Sequence, residues 1–214
     1  MKISALSTST GVPVPTIKYY LREGLLEPGR QTAPNQADYG DAHAHRLRLI
    51  RVLIEVGGLG VASVRAVLDA IADAELPVHD LLGVAHQVLG PPPDHGPAPR
   101  DVAEARAEVD AFLVEQGWRI DAVHPARRAL ADALVALRRL GRDVGVEVFR
   151  PYAEVADRLA AQELRTVPPA SRADAVEAVV VGTVVFEAAL MALRRLAQAH
   201  HSALRFSGPT SGGT

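Results

Sequence analysis

The sequence contains no cysteine, which excludes disulfides, thiolate metal ligands and thiol-based redox sensing. Aromatic residues are scarce, with four Phe, four Tyr and one Trp in 214 residues. The apolar mass is instead Ala, Val and Leu, which suits helices packed closely through small side chains. Long hydrophobic runs are missing. The longest uncharged apolar stretch, Ala178 to Phe186, is about half of the ~20 residues that a membrane-spanning helix needs. The N-terminus lacks the basic and apolar regions of a signal peptide. The expectation is a cytoplasmic protein with no membrane contact. Net charge of either sign is also small. The chain carries −2 overall, while residues 1–70 hold eight Lys/Arg against six Asp/Glu. So mild a gradient means that an anionic partner of the N-terminal part must be held by placed contacts and not by bulk charge.

Catalytic signatures are absent as well. No Gly-rich phosphate loop follows a strand, no G-x-S-x-G occurs, and no carboxylates pair in a recognisable context, so the chain does not read as an enzyme. The eight histidines (His43, His45, His79, His86, His95, His124, His200 and His201) are scattered. His79 and His86 are spaced to share a helix face, but no third ligand is spaced with them. Adjacent His200 and His201 cannot both meet one ion from a straight helix. They read as surface or loop residues, and neither a metal nor another cofactor is expected.

What is present is strong punctuation. "GPPPDHGPAP", Gly90 to Pro99, has five prolines in ten residues and cannot be helix or strand. It separates an N-terminal domain, 1–75, and a short helix with linker, 76–99, from a helical domain, 100–206. Pro91, Pro92 and Pro93 in sequence make this part of the linker a stiff, extended spacer. "VPPAS", Val167 to Ser171, divides the C-terminal part, and residues 207–214, "SGPTSGGT", read as a disordered tail. No internal repeat is evident. The fold class is mainly α: a winged helix-turn-helix unit followed by an all-α bundle.

In the N-terminal unit, "KISALSTSTG" fits a short helix closed by Gly11. The turn "GVP" leads to a second helix from about Val14 to Glu23, with Pro15 tolerated in its first turn and Gly24 at its end. Two short helices joined by a Gly-containing turn form a helix-turn-helix, with Ile3, Leu6, Val12, Ile17 and Leu21 as a miniature core. "LLEPGRQTAPNQADY" suits a small hairpin or wing. A third helix, about Asp41 to Val56, has Leu47, Ile50, Leu53 and Ile54 on one face. After "GGLG" a fourth turns Val64, Val67, Leu68 and Ile71 inward.

The second helix raises a question of its own. "TIKYYLREG" sets two adjacent tyrosines between Lys18 and Arg22, and neighbours on a helix point about 100° apart, so at least one must look outward. Tyr20 shares a face with Ile17 and Leu21 and fits a core position as well as an outward one; Arg48 and Arg51 fit solvated helix charges. "TGVPVPTIKYYLREGLLEPGR", then Tyr39, "HRLRLI" and "EVGGLGVASVRAVL", together resemble the MerR family of winged-helix transcription regulators. The likeness runs in register over about residues 1–72. The family pattern is T-G-V-x-x-x-T-[IL]-[RK]-Y-Y-x-x-x-G-L-L, a wing, an arginine-rich third helix and a G-[FL] entrance to the fourth.

The resemblance implies a homodimer that binds double-stranded promoter DNA between promoter elements and distorts it so that RNA polymerase can engage. Carried over by matching position, Thr16, Lys18, Tyr19, Tyr20 and Arg22 lie on the recognition helix. Arg30 and Tyr39 flank the wing, and Arg46 lies on the third helix. Hydroxyls and cations of this kind meet phosphates and fix register, while base edges carry sequence. Two positions depart from the pattern: Ala37 and Pro15 stand where many members carry a basic residue.

The C-terminal half reads helical throughout. One stripe is Val102, Ala105, Val109, Phe112 and Leu113; another is Leu130, Leu134, Leu137 and Leu140; a third is Tyr152, Val155, Ala156 and Leu159. The last helix, about Arg172 to Phe206, is apolar nearly all round between Ala178 and Leu193, so it must be buried in a bundle or shared with another chain. Arg100 to Gln116 is the preferred dimer helix and Val179 to Leu196 its competitor. A small apolar or cationic effector would draw on Phe112, Trp118, Tyr152 and Glu187. Each also has a plainer reading, with Trp118 plugging the bundle and Glu187 pairing with Arg194 or Arg195. The rival function is a DNA-binding regulator without a ligand, whose helical half only dimerises or binds a protein.

Overall fold

The computed structural model describes residues 1–34, 36–90, 98–166 and 172–206. The Pro91–Pro93 spacer, the "VPPAS" breaker and the 207–214 tail, all expected from the sequence, lie outside the described residues. The fold is mainly α. The described residues pack as two compact units, one of Met1–Gly60 with the chain from Val181 onward, the other of Val61–Val180.

In the first unit, α1 (Ile3–Thr10) stops at Gly11, whose φ of 70° lets its N–H return to the Ser7 carbonyl at 2.8 Å. Pro13 is extended and Pro15 sits in the first turn of α2 (Val14–Arg22), where a missing N–H costs nothing. Beyond it Gly24, at φ 70°, turns the chain so that the Leu25 and Leu26 N–H groups both bond the Tyr20 carbonyl, burying the two leucines. The wing is an antiparallel hairpin of β1 (Arg30–Ala33) and β2 (Gln36–Asp38), with Arg30 opposite Asp38 and Gln31 opposite Ala37. Next comes α3 (Asp41–Arg51), which runs on as a π-turn, Val52–Val56, and ends at Gly57.

Leu6, Val12, Ile17, Tyr20, Leu25, Leu26, Leu47, Ile50 and Leu53 form the buried centre of this unit. Ile3 and Leu21, expected there, are only half-buried, because both face a surface depression described below. Ile54 is half-buried too: the wider π-turn rotates it off the face that Leu47, Ile50 and Leu53 share.

The second unit holds α4 (Val61–Ala72), α5 (Val78–Leu89), α6 (Arg100–Glu115), α7 (Pro125–Arg139), a 3-10 turn (Val146–Phe149) and α8 (Arg150–Arg165). α4 packs on α5, and α6 on α7. Ala105, Val109, Phe112 and Leu113 of α6 meet Ala131, Leu134 and Val135 of α7, with Val146 and Ala153 completing the core. A belt of ion pairs surrounds it. Arg138 grips Glu108 with two hydrogen bonds of 2.8 and 2.7 Å, Arg139 reaches Asp101 at 2.8 Å, and Arg150 reaches Glu115 at 2.9 Å.

Two expected stripes are corrected. Leu140 is exposed because α7 ends at Arg139, leaving Leu140 as its cap. On α8, Ala153 is the buried position, while Tyr152, Val155 and Ala156 are exposed and Leu159 half-buried. The phase of α8 is set by the preceding 3-10 turn, which puts Val146 into the core.

The last helix, α9 (Arg172–Phe206), contributes to both units. Val179, Val180 and Val184 are buried, but Phe186, Leu190, Leu193, Leu196 and Leu204 are all exposed. Its continuous apolar surface is thus only partly used within one chain. The stripe on α6, by contrast, is consumed by the core it shares with α7.

Candidate nucleic-acid interface

The α2 helix divides its side chains by face. Ile17 and Tyr20 point inward, with Tyr20 only 8% exposed, while Lys18 and Arg22 are exposed and Tyr19 and Thr16 are half-buried. Of the two tyrosines, Tyr19 is the one offered to solvent. The Arg22 guanidinium lies 5.3 Å from the centroid of its ring, so the ring and cation present one amphipathic surface. Arg22 is only loosely drawn to Glu23, at 4.0 Å, which leaves it available to a stronger anion. Burial foremost, with the nearby Glu55 and Tyr19, raises the Tyr20 phenol above its ordinary value against the opposing Arg51. That hydroxyl stays protonated.

The wing is tied to the start of the chain. The Met1 ammonium donates to the Tyr39 carbonyl at 2.6 Å, and the Tyr39 N–H returns to the Met1 carbonyl at 2.8 Å. Lys2 Nζ contacts Asp38 at 3.3 Å and donates to Thr32 Oγ1 at 2.9 Å. Tyr39 is 8% exposed, its ring edge-on to His43 at 5.2 Å. A Cβ on Gly29 would stand 2.7 Å from the Asp38 carbonyl oxygen and 2.9 Å from the Tyr39 ring, so only glycine fits at the wing's base. Arg30 is exposed on β1. Between α2, the start of α1 and the hairpin lies a depression of about 800 Å³ whose rim carries Lys2, Lys18, Gln31 and Gln36 and whose floor includes Ile3, Leu21 and Tyr39.

Two arginines of α3 act inside the unit. Arg46 donates from Nε to the Leu25 carbonyl at 3.0 Å, pinning the turn after α2. Arg51 donates from Nη1 to the Thr10 carbonyl at 3.1 Å, satisfying a helix end, and forks onto Glu55 with two bonds of 2.9 Å. The hydrogen bond to Glu55 raises the Arg51 pKa and lowers that of Glu55. The sequence alone makes Arg51 fit a solvated charge, since nothing local to it signals a carbonyl 41 residues earlier. Arg51→Ala should lower the midpoint of urea unfolding and loosen α1 against α3. Glu55→Ala, which spares the bond to Thr10, should lower it less.

The chain matches a family model described as the MerR HTH family regulatory protein over residues 1–71. It is similar to the crystal structure of SCO5550 from Streptomyces coelicolor A3(2), described as a candidate transcriptional regulator. The sequences are 39% identical and the TM-score is 0.74, over 99% of this chain and 100% of that one. This chain belongs to the MerR family. Among curated relatives it is 42% identical over 50 residues to the HTH-type transcriptional regulator ZntR homolog of Haemophilus influenzae, covering 23% of this chain and 37% of that protein. It is 33% identical over 85 residues to the HTH-type transcriptional regulator HmrR of Sinorhizobium medicae, covering 40% and 57%. The chain thus spans between 37% and 57% of the length of these curated relatives.

In this MerR-family chain the residues considered for an effector differ in exposure. Phe112 is 3% exposed in the bundle core, with the Arg150 guanidinium 5.7 Å from its ring centroid. Trp118 is half-buried, donates from Nε1 to Asp157 at 3.1 Å and lines a depression of about 550 Å³ with Gln116, Glu154 and Arg158. Tyr152 is exposed, and Glu187 is exposed on the part of α9 that belongs to the first unit. Among the described residues no group of three or more His, Asp or Glu is placed to hold a metal ion, and no helix is long and apolar enough to cross a membrane.

Proposed function

We propose that the protein is a cytoplasmic, homodimeric transcription regulator, not an enzyme, that binds double-stranded promoter DNA through α2 and the wing. The observation that carries this reading is the surface of exposed Lys18 and Arg22 around the half-buried Tyr19, beside the hairpin, in a domain of MerR type. Lys18, Arg22 and Arg30 meet phosphates, Tyr19 and Thr16 add hydroxyl contacts, and Arg46 holds the recognition helix to α3 from behind. Tyr20 and Tyr39 serve from the buried side, fixing the helix and the wing. Distortion of the promoter, to the benefit of RNA polymerase, is the working step.

The dimer is supported by α9. Thr183, Phe186, Leu190, Leu193, Ala197, His200 and Leu204 follow strict alternating spacings of three and four, the seam of a two-stranded coiled coil. Phe186, Leu190, Leu193 and Leu204 are exposed along it. This favours α9 over α6 as the dimer helix. Two such helices bring two recognition helices to symmetric half-sites.

A small effector, apolar or cationic, is assigned to the Trp118 depression, with Phe112 behind it. The burial of Phe112 and the exposure of Tyr152 and Glu187 favour the second reading, in which the helical half only dimerises or meets a protein.

The test is a titration of duplex DNA selected from random sequence, at several salt concentrations. Arg22→Ala should weaken binding on every sequence and reduce the log–log salt slope by about one. Tyr19→Phe should weaken binding with the slope nearly unchanged. An unaltered slope for Arg22→Ala removes that residue from the interface.

A further inference from the structure

Within the second unit α5 meets α7 at a small joint. His86 of α5 and His124, the cap of α7, face each other with Nδ1 of the first 3.0 Å from Nε2 of the second. Just beyond α5, a Cβ on Gly90 would stand 2.6 Å from Cβ of Pro125, the first residue of α7, so the two elements touch with no room to spare. We propose that the His86–His124 pair is a proton-operated latch that holds α5 against α7 at neutral pH and releases it on acidification.

The hydrogen bonds fix the protonation state the latch needs. Nδ1 of His124 accepts the Ala126 N–H at 3.2 Å, which caps α7, so that nitrogen carries no proton. A neutral His124 is therefore protonated on Nε2 and donates to Nδ1 of His86, whose own proton sits on Nε2. A proton added to His86 at Nδ1 sets two N–H groups against each other. Relieving that clash by moving the His124 proton to Nδ1 would break the cap. Either route separates the rings or frays α7, and two charged imidazoles at this distance repel.

The surroundings favour the neutral pair. Both imidazoles lie below their ordinary range, foremost because of burial; His124 lowers His86 further, while on His124 the Arg127 cation lowers and the Asp121 carboxylate raises. Of the other charged groups on the packed elements, Arg65 and Asp69 of α4, His79 and Asp80 of α5, and Asp132 and Arg139 of α7 are exposed; Arg128 and Arg138 of α7 are half-buried, Arg128 beside Asp132 at 3.4 Å and Arg138 on Glu108. The closed joint thus binds fewer protons than the open one. Its stability is complete above the ordinary imidazole pKa of about 6.5 and drains as the pH falls below it.

Amide hydrogen exchange of residues 78–89, on the full chain and with intrinsic rates divided out, reads the latch directly. Between pH 7.5 and 5.5 the protection of α5 should fall, approaching about tenfold per pH unit at the acid end if opening takes up one proton. His86→Leu removes the titrating group of α5, and the protection should then be flat over that range. His124→Asn keeps a capping oxygen for Ala126 while removing the partner imidazole, and the dependence should shrink to what the burial of His86 alone leaves. Should His86→Leu fail to fold, the reduction in His124→Asn decides alone. Protection in the unaltered protein that ignores pH, or a dependence that His124→Asn leaves at full size, overturns the latch. So does a nitrogen NMR spectrum at pH 7.5 with the His124 proton on Nδ1.

Discussion

Leu190→Glu combined with Leu193→Glu should convert the protein to a monomer at micromolar concentration and weaken operator binding by a factor on the order of 10² to 10⁴. Both leucines are exposed on α9, at 38% and 63%, in positions three apart on the seam. Their replacement sets like charges where two apolar stripes would close, and it leaves the buried anchors Val179, Val180 and Val184 untouched. The fold of each unit should persist, so circular dichroism is expected to hold while light scattering reports the halved mass. The affinity loss has a separate origin. Once two recognition helices are linked, the second half-site binds at an effective concentration set by the dimer, and a monomer forfeits that advantage. A dimer that survives both glutamates assigns the seam to no interface. A monomer that binds DNA as before removes the need for symmetry.

Much of the first unit was legible because its determinants are local. Gly11 and Gly24 take the positive φ that the sequence asked of them, and Pro15 falls in the first turn where its ring is tolerated. The adjacent tyrosines resolve as helical geometry demands, Tyr20 inward and Tyr19 outward. What escaped is non-local. Arg51 holds a carbonyl 41 residues away, and His86 meets His124 across 38 residues and a proline-rich segment. Spacing also cannot say which of several apolar stripes the fold will use. On α8 the sequence offered Tyr152 and Val155, and the 3-10 turn before the helix chose Ala153 instead. For α9 both outcomes, burial or sharing with another chain, were open from composition. The structure buries three valines at one end and leaves the leucines beyond them uncovered.

The remaining large effect is expected at a glycine. Gly57 ends the π-turn that follows α3, and a Cβ there would stand 2.6 Å from Cγ1 of Val184 and 2.7 Å from the Leu53 carbonyl oxygen. The first obstacle is a side chain of α9 and the second is backbone, so Gly57→Ala must push α9 away, unwind the π-turn, or both. Overpacking of this kind costs about 1–3 kcal/mol. The substitution should lower the midpoint of urea unfolding accordingly, with the slope unchanged if the denatured state is unaffected. Val184→Ala removes the Cγ1 atom and opens a small void by itself. In the double variant the two changes should partly compensate, and the size of the compensation in a double-mutant cycle measures how much of the strain falls on α9. Full additivity would put the cost in the backbone at Leu53. On the proposed dimer the result bears on function, because at Gly57 the helix assigned to the seam meets the end of α3, within the unit that also holds α2. A shift there should alter the spacing tolerated between half-sites, and a panel of operators with one base pair added or removed between them would detect it.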